Sequence, residues 1–165
     1  MSLPGHHGLK VLHVQKGGGT ALWVYKDKDT IKVGHEETGG AIAVVETEFK
    51  PGDGPPPHTH KNEHEAFYVL EGEVAALDGD RRFVAGPGDF VFFPRHSHHA
   101  FKNVGTTMAR ILLLFIPAGF EGYLKEVGAI VVEGQDAPET DMEKALPIAK
   151  KYGMEFITVP PGVWD

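Results

Sequence analysis

The chain has 165 residues, with 16 Lys and Arg against 23 Asp and Glu and a formal net charge of -7. It contains no cysteine, which excludes disulfide frameworks, zinc fingers, iron–sulfur centres and cysteine nucleophiles. The acidic balance argues against a nucleic-acid partner, whose recognition needs clustered Lys and Arg. The length suits one domain with its own core, and 21 Gly with 12 Pro imply many turns between short elements, an all-β pattern.

Met1 to Lys16 carries only scattered apolar residues and no signal-peptide core, and the longest apolar run, Ile111 to Ile116, is far too short to span a bilayer. A cytoplasmic chain without a membrane partner is expected. Leu22 to Tyr25 and Thr30 to Val33 read as short strands around a polar turn, Lys26 to Asp29, whose charges are expected to be solvated. Ala41 to Phe49 is a longer strand. It is stopped by Lys50-Pro51-Gly52-Asp53-Gly54-Pro55-Pro56-Pro57, where three prolines without N–H donors make a rigid extended lead-in.

Glu65 to Leu70, Val74 to Leu77 and Arg81 to Val84 follow, with Asp78-Gly79 as a hairpin signal. Asp89 to Phe93, His99 to Asn103 and Ala109 to Ile116 complete about nine strands, the density of a sandwich or barrel. The tail turns helical: Phe120 to Val127 ends at a glycine C-cap, Gly128, and Thr140-Asp141-Met142-Glu143 fits a capping box. Pro147 is expected in the first turn of a further helical piece. The pattern predicts one domain over residues 1–165, a barrel core at about 20–117 and a helical appendage at about 118–165.

Six of the ten histidines fall between residues 58 and 99. His58 and His60 are two residues apart, so on an extended chain both imidazoles share a face and can reach one metal. Glu65 lies at an odd offset from them, so the chain must turn between His60 and Glu65. Beyond that turn Glu65, Phe67 and Val69 share a face. Pro94-Arg95-His96-Ser97-His98-His99 then leads more histidines onto the strand ending at Asn103.

Two blocks combine these residues with fixed glycines and a proline: Gly52-x5-His58-x-His60-x4-Glu65-x6-Gly72 and Gly88-x5-Pro94-x4-His99-x3-Asn103. They resemble both signature motifs of the cupin superfamily. Ala66 to Glu73, Ala85 to Phe90, Pro117 to Glu121 and Lys150 to Phe156 are similar to the small single-domain bacterial cupins described as quercetin dioxygenase-like. The resemblance covers roughly residues 20 to 160 and implies an all-β cupin jelly-roll barrel with short C-terminal helices. It also implies a metal held by His58, His60, Glu65 and His99. One position departs from the motif: His96 stands where glycine is usual, two residues after Pro94, in a turn conformation that suits glycine.

Three imidazoles and a carboxylate without a thiolate suit one divalent transition metal: iron, nickel, manganese, cobalt, copper or zinc. Four protein ligands leave coordination positions open, as a catalytic site requires. What the resemblance implies first is a dioxygenase on an enol or flavonol-like small molecule that coordinates the metal, with Glu65 as the catalytic base. A non-enzymatic sensor cupin and an oxygen-independent isomerase or lyase are the alternatives. Phe67, Val69, Phe92 and Phe101 are pocket-wall candidates by alternation, with core packing as the default reading of each. His64 and His98 adjoin proposed ligands and point to the opposite face. His96 belongs to a turn at the barrel mouth, and His6, His7, His13 and His35 show no partner pattern. Small cupins commonly pair through sheet edges, so a homodimer is expected.

Overall fold

A computed structural model describes residues 8–164; Met1 to Leu3, His6 and His7 lie outside the described residues. The chain runs β1 (Thr20–Val24), β2 (Asp27–Val33), α1 (His35–Thr38), β3 (Ala43–Phe49), β4 (His58–His60), β5 (His64–Glu71), β6 (Val74–Asp78) and β7 (Arg81–Ala85). It continues with β8 (Phe90–Phe93), β9 (His99–Asn103), β10 (Ala109–Ile116), α2 (Glu121–Val127), β11 (Ala129–Ile130), α3 (Met142–Lys151) and β12 (Met154–Phe156). The strands form two antiparallel sheets, ordered β11-β1-β2-β3-β10-β5-β8 and β12-β4-β9-β6-β7. This is the expected all-β jelly roll.

Alternation builds the core. In β10, Ala109, Ile111, Leu113 and Phe115 are buried, while the residues between them are less so. That strand sits between β3 and β5, pairing with both along its length. From the facing sheet, Val74, Ala76 and Phe101 close the layer, and Phe67, Phe93 and Phe101 pack ring against ring. The motif glycines and asparagine hold the strand connections. Gly72 adopts φ +84, and a Cβ there would stand 2.8 Å from Ala109 Cα, so no larger residue fits the β5–β6 turn. Asn103 donates from Nδ2 to the carbonyls of Phe49 and Thr107 and accepts from the Gly105 N–H, which clamps the β9–β10 connection.

Several local expectations change. The first hairpin turns at Tyr25 and Lys26, both with positive φ, and not over Lys26 to Asp29. Asp27 and Asp29 therefore belong to β2, at alternate positions on the side of Ile31, and all three are buried. The two lysines of that run keep the expected surface role, Lys26 in an exposed ion pair with Glu139 and Lys28 in a half-exposed one with Glu48. Asp141, not Thr140, caps α3 by accepting from the Lys144 N–H; the Thr140 hydroxyl accepts from the Tyr25 N–H instead. Pro147 lies inside one continuous helix, α3, on its exposed face, where water can satisfy the carbonyl it leaves unpaired. Gly128 does end α2, but in an extended conformation. It is small because a Cβ would meet the Leu124 carbonyl at 2.6 Å.

The tail is more than a helical appendage. β11 pairs with β1 and β12 with β4, so each sheet gains an edge strand from it. Phe120, Tyr123, Leu124 and Met154 pack into the main core. No helix among the described residues is long and apolar enough to cross a membrane.

Candidate metal centre

The two sheets deliver the ligand candidates from opposite sides. His58 and His60 alternate on β4, with Thr59 between them less buried. His99 is the direct cross-strand partner of His58, on β9 of the same sheet. The chain then turns through Lys61 to Glu63, anchored by the Lys61 N–H to the Gly153 carbonyl, and enters the other sheet as β5. The expected turn thus carries Glu65 across the barrel to face the three imidazoles.

All four side chains are buried, and each offers a ligand atom within 4.8 Å of the others; they are the group of three or more such residues found among the described residues. Glu65 Oε2 is the focus. It lies 2.7 Å from His99 Nε2, 3.2 Å from His60 Nε2 and 3.4 Å from His58 Nε2. The opposite ring nitrogens decide the chemistry. His58 Nδ1 lies 2.8 Å from the Pro56 carbonyl, and His99 Nδ1 lies 3.2 Å from the Ser97 carbonyl. A carbonyl oxygen only accepts, so His58 Nδ1 carries a hydrogen and its neutral ring presents an Nε2 lone pair; the Ser97 hydroxyl, 3.0 Å from His99 Nδ1, can pair with either tautomer of His99. The His58 Nε2 lone pair therefore points at a carboxylate oxygen, and both ring nitrogens of His60 lack a hydrogen-bond partner.

That arrangement is repulsive unless a positive charge sits among the groups. Without a metal, protons must supply it. Burial opposes a charge on His60, but Glu63 and Glu65 outweigh burial and push its imidazole up to about 9. Burial holds His58 below its ordinary value despite Glu65. Burial alone would raise Glu65, yet the three imidazoles hold its carboxyl well below the usual carboxylate range. An ionised carboxylate ringed by three imidazole Nε2 atoms fits a divalent transition metal and its nitrogen–oxygen donor preference.

Neighbours hold the ligands in place. Phe93, opposite Glu65 in the β5–β8 ladder, stacks on His99 at 4.3 Å between ring centroids. Phe120 meets His60 edge-on at 4.4 Å. Glu63 Oε2 is buried 3.6 Å from His60 Nδ1, beside the ligand set and not within it. His96 takes φ +69, so it adopts the turn conformation that glycine would supply, and its N–H donates to the His60 carbonyl at 2.7 Å. Its ring is exposed, as is that of His98. His64 accepts from the Arg95 N–H and lies against Phe92, away from the cluster.

A cavity of about 50 Å³ adjoins the cluster, lined by His58, His60 and Glu65 together with Phe101, Phe115 and Phe120. Of the four pocket-wall candidates, Phe101 lines it. Phe67 and Val69 are fully buried in the core and are not among its lining residues. Phe92 is corrected outright: it is 50% exposed, because Val91 and Phe93 take the inward positions of β8. Sequence reasoning missed Asp27 and Asp29 of β2 and Tyr123, Met154 and Phe156 of the tail, all of which line the cavity. The aspartates carried a signal in their alternation with Ile31; the tail residues carried none that was local.

The Cupin domain family model matches residues 45–115, a span that contains all four ligand candidates and most of both sheets. Residues 45–115 are a cupin domain. This cupin is 25% identical over 115 residues to a quercetin 2,3-dioxygenase of Bacillus subtilis (strain 168), covering 70% of this chain and 34% of that one. It is 37% identical over 76 residues to the germin-like protein subfamily 1 member 7 of Arabidopsis thaliana, covering 41% of this chain and 33% of the relative. The chain spans about a third of the length of the curated relatives it matches. Among solved structures, a predicted oxalate decarboxylase from Thermotoga maritima superposes with a TM-score of 0.61 at 20% identity, over 64% of this cupin and 99% of that chain. The polyketide cyclase RemF from Streptomyces resistomycificus gives 0.59 at 21% identity, over 78% and 90%. Those likenesses establish the shared fold.

Proposed function

We propose that this cupin is a metal-dependent dioxygenase acting on a small enol-type molecule. The observation that supports this most is the convergence of three imidazole Nε2 atoms on one carboxylate oxygen in a buried site beside a cavity. A divalent transition metal held by His58, His60, Glu65 and His99 would supply a Lewis-acid centre that acidifies an enol oxygen and, for a redox-active ion, electron exchange with dioxygen.

The remaining tasks fall to the chain. Oε2 of Glu65 faces the imidazoles, and Oε1 is the proposed acceptor of the substrate hydroxyl proton; because the imidazoles make this carboxylate a weak base, the transfer would depend on an enol acidified by the metal. Phe101, Phe115 and Phe120 exclude water and present an apolar wall. The named relative from Bacillus subtilis supports the reaction class. The cavity sharpens the substrate: about 50 Å³ is far below the several hundred that drug-sized ligands occupy, which favours an enol of a few heavy atoms over a three-ring flavonol.

Oxygen uptake by the metal-loaded protein, screened across short enols, β-dicarbonyls and flavonols, tests the reading. Uptake matched to substrate loss supports a dioxygenase. Substrate loss without uptake replaces it with an isomerase or lyase, and the absence of turnover throughout replaces it with a binding protein.

A further inference from the structure

The cavity has a second polar end. β2 and β5 are separated in their sheet by β3 and β10, so Asp27 and Glu65 reach the cavity from different parts of its wall. Asp27 is only 4% exposed, and its Oδ1 is buried with no hydrogen-bond partner. A buried carboxyl oxygen left unsatisfied costs on the order of 1–3 kcal/mol, so an unpaired one in a cavity wall needs an explanation.

The polar neighbours do not provide it. Asp29 Oδ1 accepts from the Thr47 hydroxyl at 2.6 Å, and the Tyr25 and Tyr123 hydroxyls bond to each other. Among the described residues Asp27 and Asp29 belong to no group of three or more that could hold a cation, so Asp27 Oδ1 is open to a polar group, of a water or of an organic ligand, that enters the cavity.

We propose that the cavity is a two-pole ligand site, in which the metal centre takes an anionic oxygen of a small molecule and Asp27 hydrogen-bonds a hydroxyl or carbonyl at its other end. The ligand class is a short carboxylate or enolate carrying a second oxygen function. Burial first, then the nearby carboxylates of Asp29 and Asp53, push the Asp27 carboxyl up to about 9. Asp27 is therefore a neutral acid near pH 7. It both donates and accepts, and it does not repel an anion. The apolar side chains between the poles, Phe101, Leu113 and Phe115 among them, discriminate against a ligand charged at both ends.

The inference rests on the metal reading, and two probes separate their failures. Wild-type protein and the Asp27→Ala and Asp27→Asn variants are loaded with Zn²⁺, their metal content is measured, and propionate and 3-hydroxypropionate are titrated calorimetrically. Wild type is expected to bind 3-hydroxypropionate about tenfold more tightly than propionate. Asp27→Ala reduces that preference to below about twofold with its Zn²⁺ content and propionate affinity unchanged, and Asp27→Asn, which still hydrogen-bonds, retains part of it. Equal affinities in the wild type, no binding of 3-hydroxypropionate to the Zn²⁺-loaded protein, or a tenfold preference that survives in Asp27→Ala overturns the second pole. A wild type that takes up no Zn²⁺ overturns the metal reading itself.

Discussion

Replacing Asp29 by asparagine isolates the cost of a buried acid in the wall of this barrel. Asp29 is 6% exposed and accepts a hydrogen bond from Thr47 Oγ1 at 2.6 Å. Burial outweighs that bond and pushes its carboxyl from 3.8 to about 7, with Glu65 acting in the same direction. In the unfolded chain the group loses its proton near 3.8. Between that pH and about 7 the folded state therefore holds one proton more, and stability falls as pH rises. Each pH unit is worth about 1.4 kcal/mol, so the loss over this window is about 4 kcal/mol. Asparagine copies the shape of the neutral acid, keeps an oxygen for Thr47 and does not titrate. Urea unfolding of chelator-treated protein, followed by tryptophan fluorescence from pH 4 to pH 8, reads the difference between the two proteins; titrations independent of Asp29 cancel, and Asp27, which the Asp29 carboxylate raises, adds to the difference in the same direction. The variant should match the wild type near pH 4 and exceed it by about 4 kcal/mol or more at pH 8. A difference that stays constant across the range, or a variant less stable at pH 8, would refute the neutral buried acid.

Phe120→Ala removes the ring that meets His60 edge-on and should cost about 3–4 kcal/mol in unfolding free energy. It should also weaken metal affinity, measured by competition with a chromophoric chelator. Asn103→Ala breaks three hydrogen bonds at the β9–β10 connection and should lower stability by about 3 kcal/mol in the same urea assay, with metal stoichiometry unchanged. The edge strand β8 carries exposed Phe90 and Phe92, and we propose that the chain pairs as a homodimer; sedimentation equilibrium should return twice the chain mass, and a monomer would contradict it.

The four ligand candidates were legible because a two-residue repeat on an extended strand pairs His58 with His60, and the resemblance to the cupin motifs adds Glu65 and His99 to them. Asp27 and Asp29 were hidden by a shift of the first turn. A run of charges between two strands reads as solvated turn, and Tyr25 and Lys26 lack the glycine or asparagine usual where φ is positive. Once the turn is placed there, strand alternation puts both acids inside with Ile31. Phe92 failed for a related reason: in Phe90-Val91-Phe92-Phe93 every residue is apolar, so alternation cannot choose the inward pair. β12 closes the cavity through a pairing with β4 that spans most of the chain, and three residues of sequence hold no signal for it.

The central claim is that His58, His60, Glu65 and His99 hold one metal ion. Elemental analysis of purified protein, wild type beside a His58→Ala/His60→Ala variant, tests it most directly. The account predicts close to one equivalent of a divalent transition metal per chain in the wild type and a near-complete loss in the variant. Full occupancy in the variant, or a wild type that stays metal-free after incubation with the candidate ions, would contradict it.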